Sequence, residues 1–178
     1  MKNFFTSDYH LSHTNVIKYD NRPFSSIEEM NEYIIDRQNT IVGTKDNFYF
    51  LGDFCFNHRE AEHWIKQLKG NLFFIKGNHD NHDMIKLYKK YGIFLGEQTK
   101  IKIENQDIVL NHYAMRVWNK SHHGAWQLYG HSHGSLPDDP NALSFDVGCM
   151  LFDYEPLEFE DIKEIMSKKN YKPVDHHK

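Results

Sequence analysis

Cysteine is nearly absent: only Cys55 and Cys149 occur, and they form no Cys-x-x-Cys pair. Two cysteines cannot build a disulfide framework, so they read as small buried hydrophobes of a protein in the reducing cytosol. Long apolar runs are missing as well. No stretch approaches the roughly 18 residues of a membrane helix, and Met1-Lys2-Asn3-Phe4-Phe5 lacks the apolar centre of a signal peptide. A cytoplasmic protein with no membrane partner is expected. There is no surplus of basic charge: 21 Lys and Arg stand against 25 Asp and Glu, a net charge of -4. That disfavours a protein whose main task is to grip nucleic acid, which needs a basic face. It leaves room for a local basic pocket, and bound cations would offset part of the acidic count. No internal repeat, low-complexity segment or linker divides the chain.

What the chain has in excess is histidine, thirteen in 178 residues. A chain with so many imidazoles raises the question of metal binding. With 39% hydrophobic and 15% aromatic residues it can bury a core, so one domain over residues 1–170 is expected, with 171–178 a frayed tail.

The first half alternates strands and helices. Phe4-Phe5-Thr6-Ser7, Phe48-Tyr49-Phe50-Leu51 and Leu72-Phe73-Phe74-Ile75 read as short buried strands. Leu11 to Tyr19 reads as a short helix or turn. Ser26 and Glu29 have the spacing of a capping box before a helix from Ile27 to Ile41. Asn57 caps a second helix, striped with Ala61, Trp64, Ile65 and Leu68 and stopped by Gly70. A third runs from Asn81 to Tyr91, with Gly92 as its stop. This is a parallel α/β pattern. The second half differs: Lys100 to Glu104 and Asp107 to His112 pair as a hairpin around Asn105-Gln106. Trp126 to Tyr129 and Ala142 to Val147 are further strands, and Glu160 to Lys168 is a closing helix.

Metal-ligand residue types gather where strands end. Asp8-Tyr9-His10 offers a carboxylate and an imidazole on one loop. Gly52-Asp53 adds a carboxylate able to bridge two ions, after a Gly that lets the backbone turn sharply. In Gly77-Asn78-His79-Asp80, Asn78 supplies a neutral amide oxygen, and His79 is placed to act as an acid. His112 ends a strand. Gly130-His131-Ser132-His133 supplies two imidazoles that would face the same side of an extended loop. Oxygen ligands mixed with imidazoles on rigid strand ends suit a two-metal hydrolytic site.

In this order the motifs resemble those of the calcineurin-like metallophosphoesterase superfamily: Asp-x-His, Gly-Asp, Gly-Asn-His-Asp/Glu, a later His, and Gly-His-x-His. The opening Phe5-Thr6-Ser7-Asp8-Tyr9-His10 with Arg22-Pro23-Phe24 is similar to small single-domain members from bacteria and phages. The resemblance implies a four-layer α/β/β/α sandwich of two mixed sheets flanked by helices. It implies one metal on Asp8, His10, Asp53 and His133, and another on Asp53, Asn78, His112 and His131. The two divalent ions would be manganese, with Fe, Zn or Ni as alternatives, about 3.5–4 Å apart. The implied reaction is hydrolysis of a phosphomonoester or phosphodiester, in which a hydroxide bridging the metals attacks phosphorus and His79 protonates the leaving oxygen. Asp53 and His79 are the catalytic residues of that scheme. One departure is visible: the fourth motif is commonly Gly-His, and here it is Asn111-His112.

Other residues carry weaker signals. Arg22, Arg116 and Asn78 are candidate contacts for substrate, against structural alternatives for the two arginines. His13 is a further candidate. Trp118 reads as an anchor of its loop or a stacking surface, and Asp80 as a helix cap or a partner of His79. Phe54 and Phe56 around Cys55 read as packing, and His58, His63, His82, His176 and His177 as surface histidines. Asp146 reads as a strand end or a support for a metal ligand. The expected partner is a small, nucleotide-like phosphoester. A nuclease of the same superfamily is the alternative, and a non-catalytic binding protein is a more distant one.

Overall fold

Three short runs rich in aromatics form the centre of the first sheet: β1 (Asn3–Thr6), β2 (Asn47–Phe50) and β3 (Asn71–Phe74). In the computed structural model, which describes residues 1–175, they are parallel and in phase, with Phe4 beside Phe48 and Phe48 beside Leu72. Period-two alternation splits their side chains between two cores. Phe4, Phe48, Phe50, Leu72 and Phe74 face one way, onto α1 (Thr14–Tyr19), α2 (Ile27–Ile41), α3 (His58–Ile65) and α4 (His82–Tyr91). Phe5, Tyr49 and Phe73 face the other way, stacked in a row with ring centroids 4.9 and 4.7 Å apart. Burying each such ring contributes about 1.5–3 kcal/mol.

Two helices start at the predicted caps Ser26 and Asn57, and α4 is capped by Asn81 where Asp80 was the candidate. Ser26 accepts from the Glu29 amide, Asn57 from that of Arg59, and Asn81 from those of Asp83 and Met84. The Glu29 carboxylate turns to Ser25 instead of Ser26, so the expected box is half formed. Two strands of only two residues each, too short to show a period, complete the sheet. β4 (Ile93–Phe94) lies parallel to β3. The last strand, Leu157–Glu158, lies antiparallel to β1.

The second sheet has β5 (Gln98–Ile103), β6 (Gln106–Asn111), β7 (Trp126–Tyr129) and β8 (Ser144–Asp146) in that order. The strand Leu157–Glu158 is thus β9. β5 and β6 form the expected hairpin. Its turn residues are Glu104 and Asn105, both left-handed at φ 48 and 70°, one position earlier than the sequence suggests. β6, β7 and β8 run parallel. Ile101, Ile108, Leu110, Leu128 and Phe145 meet Phe5, Leu51 and Ile75 between the sheets. Helix α5 (Phe159–Ser167) adds Phe159, Ile162 and Met166 to that core. The result is two mixed sheets packed face to face and flanked by helices, the architecture expected from the resemblance.

The outer side of the second sheet carries the loop anchored by buried Trp118, whose indole donates to the Ala125 carbonyl. The segment after α5 crosses it. Tyr171 donates to the Ser121 carbonyl, the Lys172 amide to that of Asn141 at 2.8 Å, and Ser121 Oγ to Asp175 at 2.9 Å. The chain is therefore tied down as far as Asp175, where a frayed tail was the expectation. His176, His177 and Lys178 lie outside the described residues. Among the described residues no helix is long and apolar enough to cross a membrane.

One junction positions everything functional. Residues following β1 and β8 join in a parallel bridge between Ser7 and Gly148, and the Cys149 amide donates to the Ser7 carbonyl. This brings the carboxyl ends of β1, β2 and β3 against those of β6 and β7, where parallel sheets present their loops.

Candidate metal centre

Each motif leaves the carboxyl end of a parallel strand and turns at once. The turn is sharp in a common way: Asp8, His10, Asp53, His131 and His133 all adopt left-handed backbone, φ 47–67°. Such residues cost free energy and persist only where surroundings hold them. Here the loops hold one another. The amides of Asp8 and His10 donate to the carbonyls of Gly52 and Asp53, and that of Gly130 to the carbonyl of His112, each at 3.0 Å.

Two motif glycines are required by close approach. A Cβ on Gly77 would sit 2.1 Å from Asp53 Oδ1, and one on Gly130 would sit 2.4 Å from Asp8 Oδ2. The carboxylates lie directly against the neighbouring backbone. Asn111 does not adopt left-handed backbone, so its position does not demand a glycine's conformational freedom.

The side chains converge as two groups. In the first, His10 Nε2 and His133 Nε2 are 3.0 Å apart, with Asp8 Oδ1 at 3.8 and 3.5 Å from them. Donors about 2.1 Å from one cation stand roughly 3.0–3.5 Å from each other, so the spacing suits a shared ion. Asp8 Oδ1 is buried with no hydrogen-bond partner, whereas Oδ2 accepts from Ser7 Oγ at 2.6 Å and the His131 amide at 3.0 Å. A carboxylate oxygen kept bare in a buried place fits a cation. In the second group, Asn78 Oδ1 lies 2.9 Å from His112 Nε2 and 2.8 Å from His131 Nδ1. Asp53 Oδ2 reaches both groups, 3.7 Å from His10 Nε2 and 3.4 Å from His112 Nε2. Asp8, Asp53 and His112 also cluster. All seven ligand candidates read from sequence are brought together. His131 and His133 do not share a side, because their loop is coiled and not extended: His131 joins the second group and His133 the first.

Groups behind the ligands aim them. His112 Nδ1 donates to the Leu51 carbonyl at 2.7 Å, leaving Nε2 as the lone pair facing Asp53. His133 Nδ1 lies 2.9 Å from Asp20 Oδ2. Such outer partners fix ring orientation and raise basicity. Burial pulls the His133 imidazole down, but the Asp20 and Asp8 carboxylates beside it outweigh that and raise its pKa from 6.5 to about 9. His10 has the opposite balance. Burial dominates, its neighbouring carboxylates do not offset it, and its pKa falls to about 3, so it stands as the neutral ligand a cation requires.

Several readings change. Arg22 is no phosphate clamp: it lies behind the site, its guanidinium donating to the carbonyls of Tyr9 and Asp8 at 2.9 and 3.0 Å and to Asp20 at 3.2 Å. It is buried because those three acceptors need it, and it steadies the carboxylate that aims His133. Arg116 is exposed and lines a cavity on the outer side of the second sheet with Trp118 and Tyr129, lined by none of the ligand candidates. Asp80 neither caps α4 nor bonds His79; its Oδ2 accepts from the amides of Gly77 and Asp53 at 2.8 and 3.1 Å, joining two ligand loops. Asp146 accepts from the amides of Gly134 and Gly148 and so braces the loop after His133. His79 is exposed at the mouth, its ring 5.5 Å from that of His10 and its amide bonded to Asp53 Oδ1. Phe54 is buried as expected, but Phe56 is 48% exposed. Asp20 escaped sequence reading because it sits in no motif. Its one signal was proximity to Arg22.

No protein-family model matches the chain. The uncharacterized protein MJ1445 of Methanocaldococcus jannaschii is 31% identical over 175 residues, covering 94% of this chain and 92% of that protein. Among solved structures, AQ665 from Aquifex aeolicus, a protein of unknown function, has a TM-score of 0.71 at 20% identity over 92% of this chain and 98% of its own. Yfce, a phosphoesterase from E. coli, has a TM-score of 0.51 at 18% identity over 83% of this chain and 78% of its own. Both structural likenesses are likenesses of fold.

Two outcomes follow for the metal centre. Gly77→Ala places a methyl group against Asp53, and is expected to abolish tight metal binding and cost about 1–3 kcal/mol of stability, measured by metal content and thermal melting; wild-type metal content would refute the packing argument. In chelator-stripped protein, His133 keeps its proton up to about pH 9, so an entering cation must displace it. Apparent metal affinity is expected to rise about tenfold per pH unit from neutrality toward pH 9, with proton release on titration. The stability His133 lends that stripped protein has the opposite sign: full below its ordinary 6.5 and lost as pH climbs through about 9. A pH-independent affinity across that window would contradict the assignment.

Proposed function

The chain belongs to the family of Methanocaldococcus jannaschii protein MJ1445, and we propose that it is a metal-dependent phosphoesterase. The observation that carries this reading is the bare, buried Asp8 Oδ1 facing two imidazole nitrogens 3.0 Å apart, with Asp53 Oδ2 reaching a second group beside it. Asp8, His10, Asp53 and His133 would hold one divalent cation, and Asp53, Asn78, His112 and His131 another. Carboxylates mixed with imidazoles suit manganese, with iron, zinc or nickel as alternatives. Such ions, when bound, acidify a water and neutralise phosphate oxygens.

The chain's own residues do the rest. Asp53, held by the His79 amide, keeps one oxygen toward both groups. His79 stands at the mouth, free to reach the oxygen that departs. A water oxygen bonds to phosphorus, the ester P–O bond breaks, and His79 gives its proton to the departing oxygen. The proton shed by the water passes to solvent, and His79 recovers one from it. Two free, buried thiols suit a reducing compartment, and the cytosol is the place this reading assigns.

A small phosphodiester or phosphomonoester is the favoured substrate class over a nucleic-acid duplex, on the acidic balance of the chain. Protein stripped by chelation and reloaded with Mn²⁺ is expected to hydrolyse bis(p-nitrophenyl) phosphate. No turnover of that diester, of p-nitrophenyl phosphate or of single-stranded DNA under any of Mn, Fe, Zn or Ni would overturn the proposal. Dominant cleavage of DNA would transfer it to the nuclease reading. His79→Ala is expected to keep its metal and lose about 100- to 10,000-fold in kcat on esters with poor leaving groups, and less on p-nitrophenyl esters. Equal loss on both would remove His79 from the acid role.

A further inference from the structure

Two large aromatic side chains stand exposed at the ends of the metal centre. Phe56 and Tyr113 are each 48% exposed. A single exposed aromatic needs no explanation, but both of these are packed against the site's imidazoles. Phe56 stacks on His13 at 4.1 Å with the planes 10° apart, and its ring lies 5.6 Å from His79. His79 in turn touches His10 of the first group. At the other end, the Tyr113 ring is 4.6 Å from His131 and 5.3 Å from His112, both of the second group. Asp53 Oδ2 lies between His10 and His112. A phosphate held on the two groups therefore has a flat apolar surface beyond each end.

The Tyr113 end is also hollow. A cavity of about 260 Å³ is lined there by Lys76, Asn78, Glu97, Asn111, His112 and Tyr113. Asn111 builds its wall: Oδ1 accepts from the Tyr113 amide at 2.6 Å, and Nδ2 donates to the Glu97 carbonyl at 3.3 Å. The residue that departs from the usual Gly thus fixes the tyrosine's backbone and ties it to the opposite side of the cavity. Lys76 and Glu97, paired with each other at 2.8 Å, give the cavity a polar edge beside whatever ring lies on Tyr113.

We propose that the site takes a phosphodiester carrying a flat heterocyclic group on each side, as in a dinucleotide or the end of a single strand, with one ring on Phe56 and the other on Tyr113. This rests on the phosphoesterase reading and specifies its substrate. His79 adjoins Phe56, so the fragment on Phe56 departs: its P–O bond breaks and its oxygen takes the His79 proton. The water oxygen completes the phosphate, which stays with the fragment on Tyr113. A monoester has no second group and leaves the Tyr113 cavity unused.

The test compares a linear dinucleotide, methyl p-nitrophenyl phosphate and p-nitrophenyl phosphate on the Mn²⁺-loaded full chain. Stacking contributes about 1–3 kcal/mol per base, or roughly 5- to 150-fold. Tyr113→Ala is expected to lower kcat/KM on the dinucleotide by such a factor, at least fivefold more than on either p-nitrophenyl ester, and Tyr113→Phe to restore it. Phe56→Ala is expected to lower all three. A second readout needs neither metal nor turnover: saturation-transfer NMR of a dinucleotide with two different bases on the chelator-stripped protein. Both bases should receive saturation, and each alanine variant should silence one. If both variants slow every substrate by one factor, or neither base receives saturation, the two rings merely support the imidazoles and the proposal falls. Phosphoester hydrolysis without preference for rings would sink this inference alone. Saturation of both bases without hydrolysis of any ester would sink the phosphoesterase reading and leave the platforms standing. A longer single strand cleaved from its end as fast as the dinucleotide identifies the strand end as ligand, and preference for the dinucleotide identifies the free form; each upholds the two-platform site.

Discussion

Two carboxylates, Asp8 and Asp53, are buried where the sheets meet. Taking an ionised carboxylate out of water costs several kcal/mol unless charge and hydrogen bonds compensate. Most of the local architecture is that compensation. Ser7 Oγ and the His131 amide serve one oxygen of Asp8, and the His79 amide serves one oxygen of Asp53. In each case a second oxygen is left for the centre. Four imidazoles and an amide surround those oxygens, and none of these groups is a permanent cation. A protonated His133 offsets part of that charge in the metal-free chain, but the neutral His10 and the bare Asp8 Oδ1 fit a cation, which is the physical reason to propose a metal centre there.

The same demand accounts for the backbone. Amides can point inward from several loops at once only if each strand turns sharply as it ends. Five of the ligand candidates therefore take left-handed conformations that β-branched residues would resist. The turns are kept by contacts between loops, through Asp80 to the amides of Gly77 and Asp53, and through the amides of Asp8 and His10 to the loop after β2. Strain in one loop is held by its neighbours. The strands beneath supply rigidity through aromatic rows that alternate between the two cores.

What was legible in the sequence was local. Apolar runs ending in Asp, Asn or His pointed to the three central strands and to the residues that cluster at their ends, because strand end and polar residue are adjacent in the chain. Caps were legible at Ser26 and Asn57 for the same reason, whereas the cap of α4 is Asn81, one residue after the Asp80 that was expected. Three kinds of feature were not. β4 and β9 are two residues long and have no period to read. Asp20 acts through a hydrogen bond to His133, 113 positions away, and only folding brings them together. Phe56 reads as packing because it lies in an apolar stretch, yet the turn after Asp53 buries Phe54 and turns Phe56 outward. Arg22 was misread in the reverse sense: an arginine near a phosphate site suggests a clamp, but its guanidinium is consumed by backbone carbonyls and Asp20.

The fate of the basic side chains bears on how a substrate would be held. Arg22 faces inward, Arg116 lines a cavity on the outer side of the second sheet, and Lys76 is paired with Glu97 at 2.8 Å. The two arginines expected at a substrate are thus spent or elsewhere, and the lysine near the site is already paired. In the proposed site the phosphate's charge would be met by cations, and the side chains left around them are rings and neutral amides. Affinity beyond the phosphate must then come from stacking and shape, which depend little on the charge of the rest of the substrate. Under the proposed reading that division would reconcile an acidic protein with an anionic ligand: the chain's negative charge would hold cations, and the cations would present the positive face that the chain itself lacks.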